Sequence, residues 1–252
     1  MEKTLMDLII QQLKSYEEDY KSFMEIEHFP SYALQTKEVS LYTAESQGFE
    51  SAAAAFYQPK TMQHTLSIST NLSLFKEIIF HEFTHILDSE LYVNGNDLRY
   101  MGLSGYTEYH ASQIELAFLL GARTFNTIPT FSVNDYISTY AGEKSVFQYV
   151  SEKQKLAIDL FSRNDFPANL STLKSALGVL YNYLGLRSIC EMYATDFKEV
   201  NDNDSFLKHI STLDFSALNN LMRGWLDQTK IDMSIPLYVN IILPIIQDYK
   251  LK

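Results

Sequence analysis

The hydrophobic period of this chain changes abruptly at residue 71. "HTLSIST", residues 64–70, alternates with Leu66 and Ile68 on one side and Ser67 and Ser69 on the other. That is the period of a half-buried strand. "NLSLFKEIIFHEFTHILDSELY", residues 71–92, then takes helical spacing. Phe75, Ile79, Phe83 and Ile86 form one apolar stripe, and Leu74, Ile78, His81, His85 and Asp88 form a second. A helix apolar around most of its circumference must be buried. A strand followed at once by a buried helix is therefore the nucleus around which the rest has to fold. Asn71 and Ser73 are the residues available to cap the helix start.

The same helix carries His81, Glu82 and His85, spelling HExxH, in a chain with 6 histidines. Two histidines four residues apart lie about 40° apart around a helix and about 6 Å apart along it. Their imidazoles can meet at one point in front of the helix, where a metal about 2.0–2.1 Å from each ring nitrogen fits. Glu82 projects beside that point and can take a proton from a water held there. The spelling thus encodes two ligands and one general base.

A catalytic zinc needs a third protein ligand and keeps one position open. The candidates are Asp88, Glu108, His110 and Glu115. Asp88 lies on the motif helix itself, so its short side chain suits a partner that fixes a histidine tautomer. Glu108 and Glu115 are seven apart and share one helix face, whereas His110 lies about 200° from Glu108. Tyr106, Tyr109 and His110 are candidate hydrogen-bond donors to a transition state.

Flanking segments set the fold class. "MEKTLMDLIIQQLKSYEEDYKSF" places Leu5, Ile9, Leu13, Tyr16, Tyr20 and Phe23 at helical spacing, which predicts an amphipathic helix docked on the core. "EVSLYTA" and "SAAAAFYQP" predict further strands between residues 37 and 70, forming a small, mostly antiparallel sheet. Three of the 9 glycines fall in residues 95–105, which predicts a loop before helical spacing resumes at "YTEYHASQIELAFLLGA". From about residue 134 the pattern is helical, with breaks expected near Pro167, Asn201–Asp204 and Pro236 and two helices around Gly185. The expectation is an α+β chain, with residues 1–130 as one unit and 131–252 as a helical region packed on it.

A net charge of −11 argues against broad nucleic-acid binding, which needs clustered Lys and Arg. A single cysteine, Cys190, excludes an internal disulfide and reads as a small buried hydrophobe. The N-terminus lacks a signal-peptide pattern, and "SIPLYVNIILPII" is interrupted by Pro236, Asn240 and Pro244, so neither secretion nor a membrane span is expected. These features point to a cytoplasmic protein.

Taken together, "HTLSIST", "FHEFTHILD" and "TEYHASQIELAFLL" resemble the gluzincin branch of metallopeptidases, in particular the ImmA/IrrE-type metallo-endopeptidases of phages and mobile elements. The resemblance covers about residues 40–120. It implies a zincin-like fold, zinc bound by His81, His85 and Glu108, and Ala111 as the small residue that lets two helices approach. It also implies a peptidase acting on one regulatory protein. His110 stands where the family has a second glutamate, which leaves room for a non-catalytic module that holds a protein partner.

Overall fold

The structure is a computed structural model and describes residues 5–38, 52–199 and 204–251. It is an α+β protein with two small sheets and, among the described residues, eight helices. Helix α1, Leu5–Met24, packs against α2, Lys76–Tyr92, with Tyr20 edge-on to Phe80 and Phe83. Ile9, Leu13, Tyr20 and Phe23 are buried as their spacing predicts, while Leu5 stays exposed.

The first sheet is mixed, not mostly antiparallel. Its order is β1-β3-β2, with β1 spanning Tyr32–Lys37, β2 Ala53–Gln58 and β3 Gln63–Ser69. β2 and β3 form an antiparallel pair joined by a short turn, with Ala55 opposite Leu66. β1 lies parallel to β3 on its other side, with Leu34 opposite Leu66. "YALQTK" carries little alternation, which is why this strand left no mark in the pattern. "EVSLYTA" falls almost wholly outside the described residues. β3 holds Leu66 and Ile68 completely buried and is the centre of the sheet, and among the described residues β2 is an edge.

Helix α2 begins at Lys76 with Phe75 as its uncapped N-cap, so neither Asn71 nor Ser73 serves. Asn71 instead accepts a bond from the Ser69 hydroxyl. Helix α3, Asp97–Leu119, returns along α2, and the N-cap is Asn96. The predicted glycine loop is therefore mostly helix. A side chain at Gly105 would meet the rings of Tyr181 and Tyr238, and one at Gly102 would meet Ile235. These two glycines serve close helix packing, which the sequence alone does not distinguish from loop flexibility.

The C-terminal half adds a hairpin, β4 (Tyr136–Thr139) with β5 (Gly142–Ser145). Five helices follow: α4 (Val146–Phe161), α5 (Leu170–Tyr193), α6 (Asp204–Leu207), α7 (Thr212–Leu221) and α8 (Gln228–Asp248). Helix α5 runs unbroken through Gly185, where a Cβ would lie 2.2 Å from the Tyr109 carbonyl oxygen of α3. The glycine is a contact point and not a break. One continuous core contains Leu13, Phe83 and Ile114 together with Leu177, Ile189 and Ile245. Cys190 is buried within it.

Helix α8 also runs on where a break was expected. Pro236 and Pro244 both lie inside it on the exposed side. A helical proline deprives the carbonyl four residues earlier of its donor. Those carbonyls belong to Asp232 and Asn240, both exposed, so water can satisfy them. By length and composition this 21-residue helix is apolar enough to cross a membrane, contrary to the sequence expectation; here Ile231, Tyr238, Ile241 and Ile245 of α8 are buried in the fold.

Candidate metal centre

The antiparallel seam between α2 and α3 brings His81, His85 and Glu108 together. One ligand atom from each lies within 4.8 Å of the others. The Glu108 Oε2 is 3.5 Å from His81 Nε2 and 3.8 Å from His85 Nε2. Two ligands on one tetrahedral zinc sit about 3.3 Å apart, given bonds of about 2.0–2.1 Å. Both of the Glu108 distances stand a few tenths of an ångström wider than a zinc site requires. The three side chains are 14%, 15% and 30% exposed, so all three are partly open to solvent.

What orients the imidazoles is as telling as where they meet. His81 Nδ1 lies 2.9 Å from Glu115 Oε2, and His85 Nδ1 lies 2.9 Å from Thr107 Oγ1. An ionised carboxylate only accepts, so His81 places its Nδ1 proton on Glu115 and leaves Nε2 for the ligand point. Hydrogen bonding of the second ring nitrogen is how proteins fix the tautomer of a ligating histidine. Burial opposes a charge on His81. Hydrogen bonds to Glu108 and Glu115, and their charges, outweigh it and push the imidazole up to about 10. Burial likewise opposes ionisation of Glu108, but His85, His81 and the Asn182 amide hold it well below the usual carboxylate range. A pocket with that negative field favours a cation. Together, the converging nitrogens and the nitrogen–nitrogen–oxygen donor set fit a metal ion.

Glu115, a candidate ligand by spacing, is thus behind the site. It is almost fully buried and also accepts from the Tyr149 hydroxyl of α4. Asp88 does bind a histidine, but the wrong one for a tautomer role: it holds His110 Nδ1 at 2.9 Å. His110 is stacked on Tyr106 and meets Trp225 edge-on. Tyr109 is buried and donates to the Gly224 carbonyl at 2.6 Å. Tyr109 is thus committed to a packing contact, and so is His110 through its Nδ1.

Glu82 is anchored from outside. Its Oε2 accepts the Ala55 N–H of β2 at 2.6 Å. β2 alternates its backbone groups between β3 and the open edge. Ala52 pairs inward with Ser69, so Ala53, Ala55 and Tyr57 face outward. Among the described residues, the edge strand beside the motif helix is accordingly β2.

Sequence reasoning missed Thr107, Asn182, Tyr149 and Ala55. Thr107 adjoins Glu108 and could have been found on spacing. Asn182 sits where its Oδ1 accepts from Ser112 at 2.7 Å and its amide reaches Glu108. No local pattern links residues so far apart in the chain. Gly178 of α5 leaves the space that Glu108 Oε1 occupies, 3.4 Å from where its Cβ would be.

Comparison with known proteins gives no match: no family model, no curated protein and no solved structure matches the chain.

Proposed function

We propose that this protein is a zinc-dependent metallopeptidase of the zincin kind, with His81, His85 and Glu108 as ligands and Glu82 as general base. The observation that carries the reading is the convergence of two Nε2 atoms on one Glu108 oxygen while both Nδ1 atoms are engaged elsewhere. Nitrogen and carboxylate donors of this number suit zinc. Bound there, zinc would polarise a carbonyl and lower the pKa of a coordinated water toward about 7.

The remaining work falls to the chain. Glu82, adjacent in sequence to the ligand His81, has one oxygen tied to Ala55 and, among the described residues, no partner on the other, so it can accept a water proton and return it to a leaving amine. Thr107 and Glu115 hold the imidazoles, which keeps reorganisation during the reaction small. With the Ala55 and Tyr57 amides taken by Glu82 and Tyr100, the outward carbonyls are what β2, an edge among the described residues, can offer an extended peptide, so an extended segment of a protein is the substrate class that suits the site. The resemblance to ImmA/IrrE-type enzymes favours a single regulatory protein as that substrate.

The test is paired. Purified protein should carry close to one zinc per chain, and Glu82→Gln should keep the zinc while abolishing cleavage of the natural partner. Protein without zinc sinks the proposal. Zinc-loaded protein that never cleaves its partner, and whose hold on it is unchanged by Glu82→Gln, is a binding module instead.

A further inference from the structure

Behind the ligand His81 stands a buried column reaching into the C-terminal half. His81 Nδ1 bonds to Glu115 Oε2 at 2.9 Å, and the other Glu115 oxygen takes the Tyr149 hydroxyl. Glu115 and Tyr149 are 3% and 6% exposed, so water has little access to either bond. One turn further along α4, Lys153 is also buried, and its charge acts on both Glu115 and Glu108. The first turn of α2 is tied to the same half, because buried Glu77 accepts the Tyr140 N–H at the tip of the β4–β5 hairpin. Glu115 thus presents one oxygen to His81 and the other to Tyr149. With the hydroxyl removed from Oε1, the carboxylate gains freedom to rotate away from His81.

We infer that Tyr149 is a positioning residue for the metal, acting through Glu115 on His81, so that helix α4 sets the metal affinity of a site whose ligands all lie on α2 and α3. This rests on the metal site proposed above. A buried hydrogen bond to a carboxylate, in turn bonded to a ligating histidine, fixes both ring tautomer and ring angle. The Lys153 charge favours an ionised Glu115 but supplies no such aim through a Coulomb field alone. Coupling between two sites is reciprocal, so zinc in turn holds α4 in place.

The experiment is a zinc titration against a chromogenic chelator, on the full chain, for wild type, Tyr149→Phe, Glu115→Gln and the double variant. Phenylalanine keeps the ring and removes only the hydroxyl. Tyr149→Phe should raise the zinc Kd about 10- to 100-fold, the usual cost of losing such a partner. In the Glu115→Gln background the same change should add under about 3-fold, because its route is already cut. Zinc should slow amide exchange in α4 of the wild type and do so less in Tyr149→Phe. An unchanged Kd in Tyr149→Phe, with only the apo protein's thermal stability lowered, makes the contact structural and overturns the inference. Fully additive losses overturn it too, since Tyr149 would then act by another path. Wild-type protein that takes up no zinc defeats the metal site itself, a different result from wild type and Tyr149→Phe binding zinc equally.

Discussion

Two histidine–carboxylate contacts bridge the same pair of helices, and they do different things. At one, His81 and His85 give their Nδ1 atoms to Glu115 and Thr107 and turn both Nε2 atoms to a common point. At the other, His110 gives its Nδ1 to both oxygens of buried Asp88, at 2.9 and 3.1 Å, and packs its ring between Tyr106 and Trp225. Each contact satisfies a buried polar group. Only at the first do the second ring nitrogens meet at a shared third side chain, Glu108. What separates a ligand from a structural histidine on this seam is where the second nitrogen points, not the presence of a carboxylate.

Three substitutions can break or sharpen that distinction. The largest effect is expected from His85→Ala, which should release stoichiometric zinc while circular dichroism shows the helices intact; zinc retained at full occupancy would mean the pair is not the site. Asp88→Ala should do the reverse. Leaving His110 without its partner should cost about 1–3 kcal/mol in urea unfolding, with zinc content unchanged. If zinc leaves with Asp88, the two contacts are one system and the comparison fails. Thr107→Val is the mildest: a neutral partner to His85 is lost, so zinc affinity should fall by about 10-fold, the low end for such partners. A fall as large as that of Glu115→Gln would erase the difference between the charged and the neutral support.

Much of α2 could be read directly, because its apolar stripes and the HEFTH spelling share one period, and Leu66 and Ile68 mark β3 as a buried strand. The three residues that converge were likewise among the candidates. Choosing Glu108 over Glu115 was another matter. Both occupy one face of α3, seven residues apart, and which one meets Nε2 and which Nδ1 depends on how far α3 slides along α2. That offset is set by side chains elsewhere, including Gly105 under Tyr181 and Gly185 under the Tyr109 carbonyl. Glycines that permit contact are written identically to glycines that permit turns. The prolines of α8 misled for a related reason: their cost depends on whether the orphaned carbonyls face water, which local pattern does not state. Asn182 and Tyr149 reach the site only through the packing of α5 and α4, so nothing near them in the chain announces a role.

The bond between Glu82 and Ala55 has a second consequence. Sheet edges with free amides recruit other strands and seed aggregation. β2 is only 6 residues long, and of its outward donors Ala55 is covered by Glu82 and Tyr57 by the Tyr100 hydroxyl. The proposed base is thus also a guard on the edge. Truncating it to alanine would disarm the site and bare a strand amide at once. Glutamine keeps an oxygen for Ala55, so it separates the loss of chemistry from the loss of solubility.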